Sequence, residues 1–184
     1  SKDLVNWEII SYIFDSIDET PRYSLEDGTV YGRGQWATSL RYRDGRFYAY
    51  FTPNDKPYKG YVYTTEDPRG KWDDPVWVVK AKGYIDPCPL WDDDGKAYLS
   101  HGCAGSRAGI KSVLFVAPMS EDGTHLTGAS RIVYDGHETQ PTIEGTKFYK
   151  RNGYYYIFSP AGGVPTGWQV ALRSESPWGP YEER

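Results

Sequence analysis

Methionine occurs once, cysteine twice and histidine three times in 184 residues, and each scarcity closes off a class of function. Cys88 and Cys103 are too few for a disulfide framework, and their spacing fits no zinc signature, so they read as inert small apolar residues. Long apolar runs are missing too. The longest, such as Ser112 to Met119, stop well short of the roughly twenty residues that a membrane-crossing helix needs, so no membrane partner is expected. With 21 Lys and Arg against 25 Asp and Glu the net charge is −4, and no basic block offers a footprint for nucleic acid. No stretch beyond about ten residues holds apolar positions at i, i+3, i+4 and i+7, which excludes a helical domain. No signal-peptide pattern opens at Ser1-Lys2-Asp3, so any targeting segment is expected outside these residues and the compartment stays open. At 39% hydrophobic and 25% charged, the composition is that of a folded chain rather than a disordered one.

What is abundant is aromatic side chains, with 17 Tyr and 7 Trp. Such rings suit carbohydrate stacking, and they equally suit cross-strand packing in an all-β protein. Short β-branched or aromatic runs bounded by Gly, Pro and Asp recur throughout, which predicts an all-β chain. Three of them carry one hairpin signature: Arg43-Asp44-Gly45-Arg46, Asp93-Asp94-Gly95-Lys96 and Arg151-Asn152-Gly153-Tyr154. Asp-Gly and Asn-Gly favour two-residue type I′ turns, because both central residues must adopt positive φ. The turn glycines lie 50 and 58 residues apart, a period suited to propeller blades. Tyr61 to Trp72 resembles Val170 to Tyr181, with Pro68 and Pro177 two repeats apart, and Ser1 to Trp7 is a looser copy. About 3.3 repeats are therefore expected. The predicted division is residues 1–30 as the end of one blade, 31–80 as a second, 81–135 as a third and 136–184 as an incomplete fourth.

Nine residues before each turn glycine stand Trp36, Asp86 and Glu144. Equal offset in equal repeats predicts equal height and facing, so two carboxylates and an indole are expected to converge on the propeller axis. Leu40, Leu90 and Phe148 are expected to be equivalent, as are Tyr48, Tyr98 and Tyr156. Taken singly, Asp86-Pro87 reads as a turn starter, Glu144-Gly145 as a solvated strand end and Trp36 as core. The shared offset is what favours a site.

These segments resemble a known family. Gly34-Gln35-Trp36-Ala37, Tyr84-Ile85-Asp86-Pro87 with the strand that follows, and Ile143-Glu144-Gly145 with the third hairpin are similar to the Trp-Ala-Pro, Asp-Pro and Glu-Gly-Pro segments of glycoside hydrolase family 43. Ser1 to Trp7 is similar to the end of that family's first blade. The resemblance implies a five-bladed β-propeller that cleaves terminal α-L-arabinofuranosyl or β-D-xylosyl residues with inversion, on arabinoxylan, arabinan or xylo-oligosaccharides. It implies Glu144 as general acid, Asp86 as the carboxylate that tunes and orients it, and Trp36 as a wall of the terminal sugar site. The general base is then an Asp at the start of blade one, upstream of Ser1. The later blades, with a channel histidine that holds a calcium ion or water in the complete enzyme, are expected beyond Arg184. No cofactor is otherwise required. Two departures stand out, Thr38 and Thr146 at positions where the family carries proline.

Asp92-Asp93-Asp94 lacks the calcium-loop pattern and reads as a solvated turn. His101, His125 and His137 have no ligand spacing. Gly162 to Trp168 reads as a flexible loop at the substrate mouth, with Trp168 stacking on a sugar. A non-catalytic sugar-binding or interaction propeller is the alternative, disfavoured by paired carboxylates at matched positions. A related fructoside-cleaving propeller is disfavoured because its Arg-Asp-Pro and Glu-Cys segments are replaced here by Ile85-Asp86-Pro87 and Glu144-Gly145.

Overall fold

Three antiparallel four-stranded sheets, each a meander joined by short turns, account for nearly all regular structure in the computed structural model. It describes residues 1–16, 21–29, 31, 34–53 and 59–184. The first sheet is β1 (Gln35–Arg43), β2 (Arg46–Pro53), β3 (Lys59–Thr65) and β4 (Val76–Lys80). The second is β5 (Tyr84–Trp91), β6 (Ala97–Cys103), β7 (Val113–Met119) and β8 (Arg131–Asp135), with a one-turn helix α1 (Gly105–Ala108) between β6 and β7. The third is β9 (Lys147–Arg151), β10 (Tyr154–Ala161), β11 (Trp168–Ser174) and β12 (Glu182–Glu183). The described residues before Gln35 contain a 3₁₀ turn, Pro21–Ser24, and no strand. Residues 17–20, 30, 32–33 and 54–58 of the expected first two segments lie outside the described residues.

The sheets pack face to face in sequence, with β5 against both β1 and β2 on one side and β9 on the other. That is how propeller blades stack about an axis, first strand innermost. Tyr50, Val62, Tyr84 and Leu99 fill the seam between the first two blades, and Leu114, Phe148, Ile157 and Leu172 fill the next. Much of the aromatic abundance is therefore core: Tyr50, Tyr61, Tyr84, Tyr98, Tyr155 and Tyr181 are all buried.

The hairpins differ from the expectation at one point. Asp44-Gly45 and Asn152-Gly153 are two-residue turns with both residues at positive φ, as I′ geometry demands. The second turn is longer. The Asp92 N–H donates to the Lys96 carbonyl, and Asp94 is absent from the positive-φ residues while Gly95 is at +83°, which makes Asp93-Asp94-Gly95 a three-residue loop closed by a left-handed glycine. One extra loop residue shifts the count along β5. Strand pairing aligns Leu40 with Pro89 and Phe148, not with Leu90, whereas Tyr48, Tyr98 and Tyr156 do correspond.

Nor is Asp92 solvated. Its side chain is 3% exposed, pairs with Lys150 and accepts the Tyr155 hydroxyl, joining the turn of one blade to the first hairpin of the next. Burial raises its pKa, but the bonds from Lys150 and Tyr155 outweigh that and hold the carboxyl below the usual range. Asp93 and Asp94 do face solvent.

His101 is core. Its ring is sandwiched between Tyr84 and Phe115, with Nδ1 2.9 Å from the Gly102 carbonyl and Nε2 2.8 Å from the Ser130 hydroxyl. Burial lowers its pKa to about 4, against the pull of the Gly102 carbonyl. A depressed imidazole pKa means that the folded state refuses a proton which the unfolded chain takes up near pH 6.5. Stability is thus complete above that pH and declines as pH falls toward 4, by about 3 kcal/mol at roughly 1.4 kcal/mol per unit. Urea unfolding of parent and His101→Gln chains across pH 4 to 7 checks this: the parent is expected to lose much more of its stability than the variant.

Candidate active site

Asp86 and Glu144 come from neighbouring blades and meet through a bulge. Pairing slips between Ile85 and Cys88 on β5, as it does between Trp36 and Ser39 on β1. The residue that absorbs each slip lies at positive φ: Ala37 at 29°, Asp86 at 56° and, in the third blade, Gly145 at 68°. Asp86 therefore corresponds to Ala37 and Gly145, while Trp36 and Glu144 correspond to Ile85. The equal offset of nine came from the longer Asp93-Asp94-Gly95 loop, so Asp86 does not share the strand position of the other two. A left-handed non-glycine residue carries strain, and bulges of this kind re-aim a side chain. Here the bulge turns Asp86 across the seam, where its Oδ2 accepts the Gly145 N–H at 2.8 Å.

The two carboxylates are brought together all the same. Asp86 is 7% exposed, and burial raises its pKa, with the Gly145 N–H, Lys147 and Arg107 pulling it back. Burial also raises Glu144, the neighbouring Asp86 charge raises it further, and Arg107 opposes both. The Glu144 backbone is anchored by its N–H to the Pro160 carbonyl at 3.1 Å. Its carboxyl makes no hydrogen bond among the described residues, which leaves the group open to a ligand.

Trp36 sits at the matching position of the first blade, 46% exposed, with no ring contact or hydrogen bond to either carboxylate among the described residues. Trp168 and Glu144 share a cleft of about 370 Å³ bounded by Thr142, Pro160 and Gly163. No group of three or more His, Cys, Asp or Glu side chains gathers as a metal site among the described residues.

Sequence reading missed three supporting residues. Thr146, seen only as a departure from proline, is fully buried; its hydroxyl donates to the Asp86 carbonyl at 3.0 Å and accepts from Ser100 at 2.9 Å. The bulge that aims Asp86 is thus held from the next blade. Lys147 reaches Ser39 across the axis at 3.1 Å, and Arg107 rides on α1, a helix too short to leave a periodicity signal. The replacement Thr146→Val, similar in shape, removes the hydroxyl bond to the Asp86 carbonyl and leaves the Ser100 hydroxyl with only the longer bond to the Cys88 carbonyl, at 3.3 Å. It is expected to cost about 1–3 kcal/mol in chemical unfolding, and a neutral result would mean that the hydroxyl is idle.

Three blades of a β-propeller thus hold a buried aspartate and a half-buried glutamate together at the seam between two of them. The chain matches Glycosyl hydrolases family 43 over residues 1–184 and belongs to that family. A Xylanibacter ruminicola protein with a provisional beta-xylosidase name is 40% identical over 184 residues, all of this chain and 33% of its own length. The non-reducing end alpha-L-arabinofuranosidase BoGH43B of Bacteroides ovatus is 37% identical over 187 residues, covering 99% of this chain and 32% of that protein. Among solved structures, a bifunctional GH43-CE protein from Bacteroides eggerthii superposes with a TM-score of 0.83 at 31% identity, covering 100% of this chain and 24% of that one. The chain thus spans about a third of the length of its curated relatives, and its three blades are part of the family's five-bladed propeller.

Proposed function

We propose that the chain is the acid-bearing part of an inverting glycosidase that removes terminal α-L-arabinofuranosyl or β-D-xylosyl residues from arabinoxylan, arabinan or xylo-oligosaccharides. The single observation that carries this is the Asp86 and Glu144 pair, with one carboxyl buried and hydrogen-bonded and the other half-buried and without a hydrogen bond among the described residues. Names among the relatives, xylosidase and arabinofuranosidase, support the substrate class.

In this reading Glu144 gives its proton to the glycosidic oxygen as the bond to the anomeric carbon breaks. Burial and the Asp86 charge keep that proton in place. Asp86, tied to the Gly145 N–H, orients the acid, and Trp36 walls the terminal sugar. A water molecule attacks from the opposite face, its proton taken by a carboxylate about 6.5–9.5 Å from the acid. We assign that base to an Asp outside residues 1–184, and the calcium ion or water of the complete channel to later blades.

The test is hydrolysis of nitrophenyl α-L-arabinofuranoside and nitrophenyl β-D-xyloside. Residues 1–184 alone are expected to turn over neither, and the complete enzyme is expected to cleave at least one. Turnover of xylobiose by residues 1–184 that Glu144→Gln abolishes would place a working base inside the chain and refute that part of the proposal. A complete enzyme inert on both sugars, and on xylobiose, would refute the glycosidase reading.

A further inference from the structure

Trp168 is held on two sides. Its six-membered ring packs against Gly162, so closely that a Cβ added there would fall 2.2 Å from the indole. Its Nε1–H donates to the Gln140 Oε1 at 2.7 Å. The Gln140 amide is in turn fixed by the other end, where its Nε2–H donates to the Glu183 Oε2 at 2.9 Å. A carboxylate only accepts, so Glu183 dictates which end of the Gln140 amide faces the indole. Glu183 is itself held by the Tyr134 and Thr139 hydroxyls, and these bonds, with that of Gln140, keep its carboxyl below the ordinary range despite slight burial. The relay links Tyr134 on β8 of the second sheet to Glu183 on β12, and passes through Gln140 in the loop before Glu144 to Trp168 on β11.

Asp86 bonds to the Gly145 N–H beside Glu144, whereas Glu144 and Trp168 share a cleft that Asp86 does not line. The bond to be cleaved must lie at Glu144. With the terminal sugar on the Asp86 side, the cleft on the Trp168 side receives the sugar that leaves. We infer that Trp168 is the stacking platform for the leaving-group sugar, and that Gln140 and Glu183 are positioning residues that set its ring. This assignment rests on Glu144 being the acid, as proposed above.

The occupant is a pyranose of a β-xylo-oligosaccharide, whose apolar ring face suits an immobilised indole. Immobilising the ring beforehand matters because binding then spends less on ordering a side chain.

Calorimetric titration of the 184-residue chain with xylose and with 1,4-β-xylotriose tests this without turnover. The parent is expected to bind xylotriose, Trp168→Ala to lose about tenfold of that affinity, and xylose binding to be unchanged. Gln140→Leu is expected to weaken xylotriose about threefold in the parent and not at all in a Trp168→Phe background, since phenylalanine has no N–H for Gln140 to hold. No xylotriose binding by the parent, or equal losses for xylose and xylotriose, overturns the platform. Equal effects of Gln140→Leu in both backgrounds overturn the positioning role. Failure of Glu144 as acid would show in the hydrolysis assay and leave this titration untouched, so the two ideas fail separately.

Discussion

Glu144→Gln in the complete enzyme is expected to lower kcat on xylobiose by about 10²–10⁴-fold, the ordinary worth of a positioned general acid. The amide preserves shape and burial but has no proton to give. The loss should shrink sharply on nitrophenyl xyloside, because nitrophenolate departs with little protonation whereas a sugar alkoxide does not. This contrast separates an acid from a residue that merely shapes the cleft: equal losses on both substrates would assign Glu144 to binding or folding. Circular dichroism of the variant guards against a trivial loss of structure. Substitution at Asp86 adds a signed prediction. Asp86→Asn removes the like charge that helps raise Glu144, so the acid deprotonates at lower pH and the alkaline limb of the rate profile should move down.

Phe148→Ala is expected to be the most damaging single core change, at about 3–5 kcal/mol. The ring is fully buried in the seam between the second and third sheets, beside Tyr155 at a centroid distance of 6.3 Å. Its backbone is tied to the neighbouring blade as well: the Phe148 N–H donates to the Cys88 Sγ at 3.2 Å, and Arg41 reaches the Phe148 carbonyl at 3.3 Å. Small domains are stable by only about 5–15 kcal/mol, so the variant should unfold at a much lower urea concentration. Tyr149 next door is 44% exposed under the Arg41 guanidinium, and Tyr149→Ala should cost far less. A loss below about 1 kcal/mol for Phe148→Ala would mean that the blades do not share this seam in solution.

Hairpin turns were legible in the sequence because positive φ has a local chemical signature in Asp-Gly and Asn-Gly. The blade period followed from them. Loop length was not legible: Asp93-Asp94-Gly95 and Arg43-Asp44-Gly45 look alike as text, and only the pairing of Asp92 with Lys96 reveals the extra residue. That one residue explains why Leu90 fell out of register and why Asp86 shares its offset with Trp36 and Glu144 without sharing their strand position. The carboxylates still converge, because the bulge at Asp86 re-aims its side chain, and bulge strain leaves no mark on composition. Asp92 was misread for a related reason. An acidic run beside a turn looks solvated until Lys150 and Tyr155, some sixty positions away, are folded onto it. Thr146, Arg107 and Gln140 act through partners on other elements, so nothing in their own neighbourhoods announced them.

Carbon-13 NMR titration of the Glu144 carboxyl, in the parent and in Asp86→Asn, addresses the coupled pair without relying on turnover. A Glu144 that titrates above the usual glutamate range in the parent, and drops toward it when residue 86 is uncharged, is the predicted result. A Glu144 that titrates as an ordinary surface glutamate, indifferent to the change at residue 86, would contradict it.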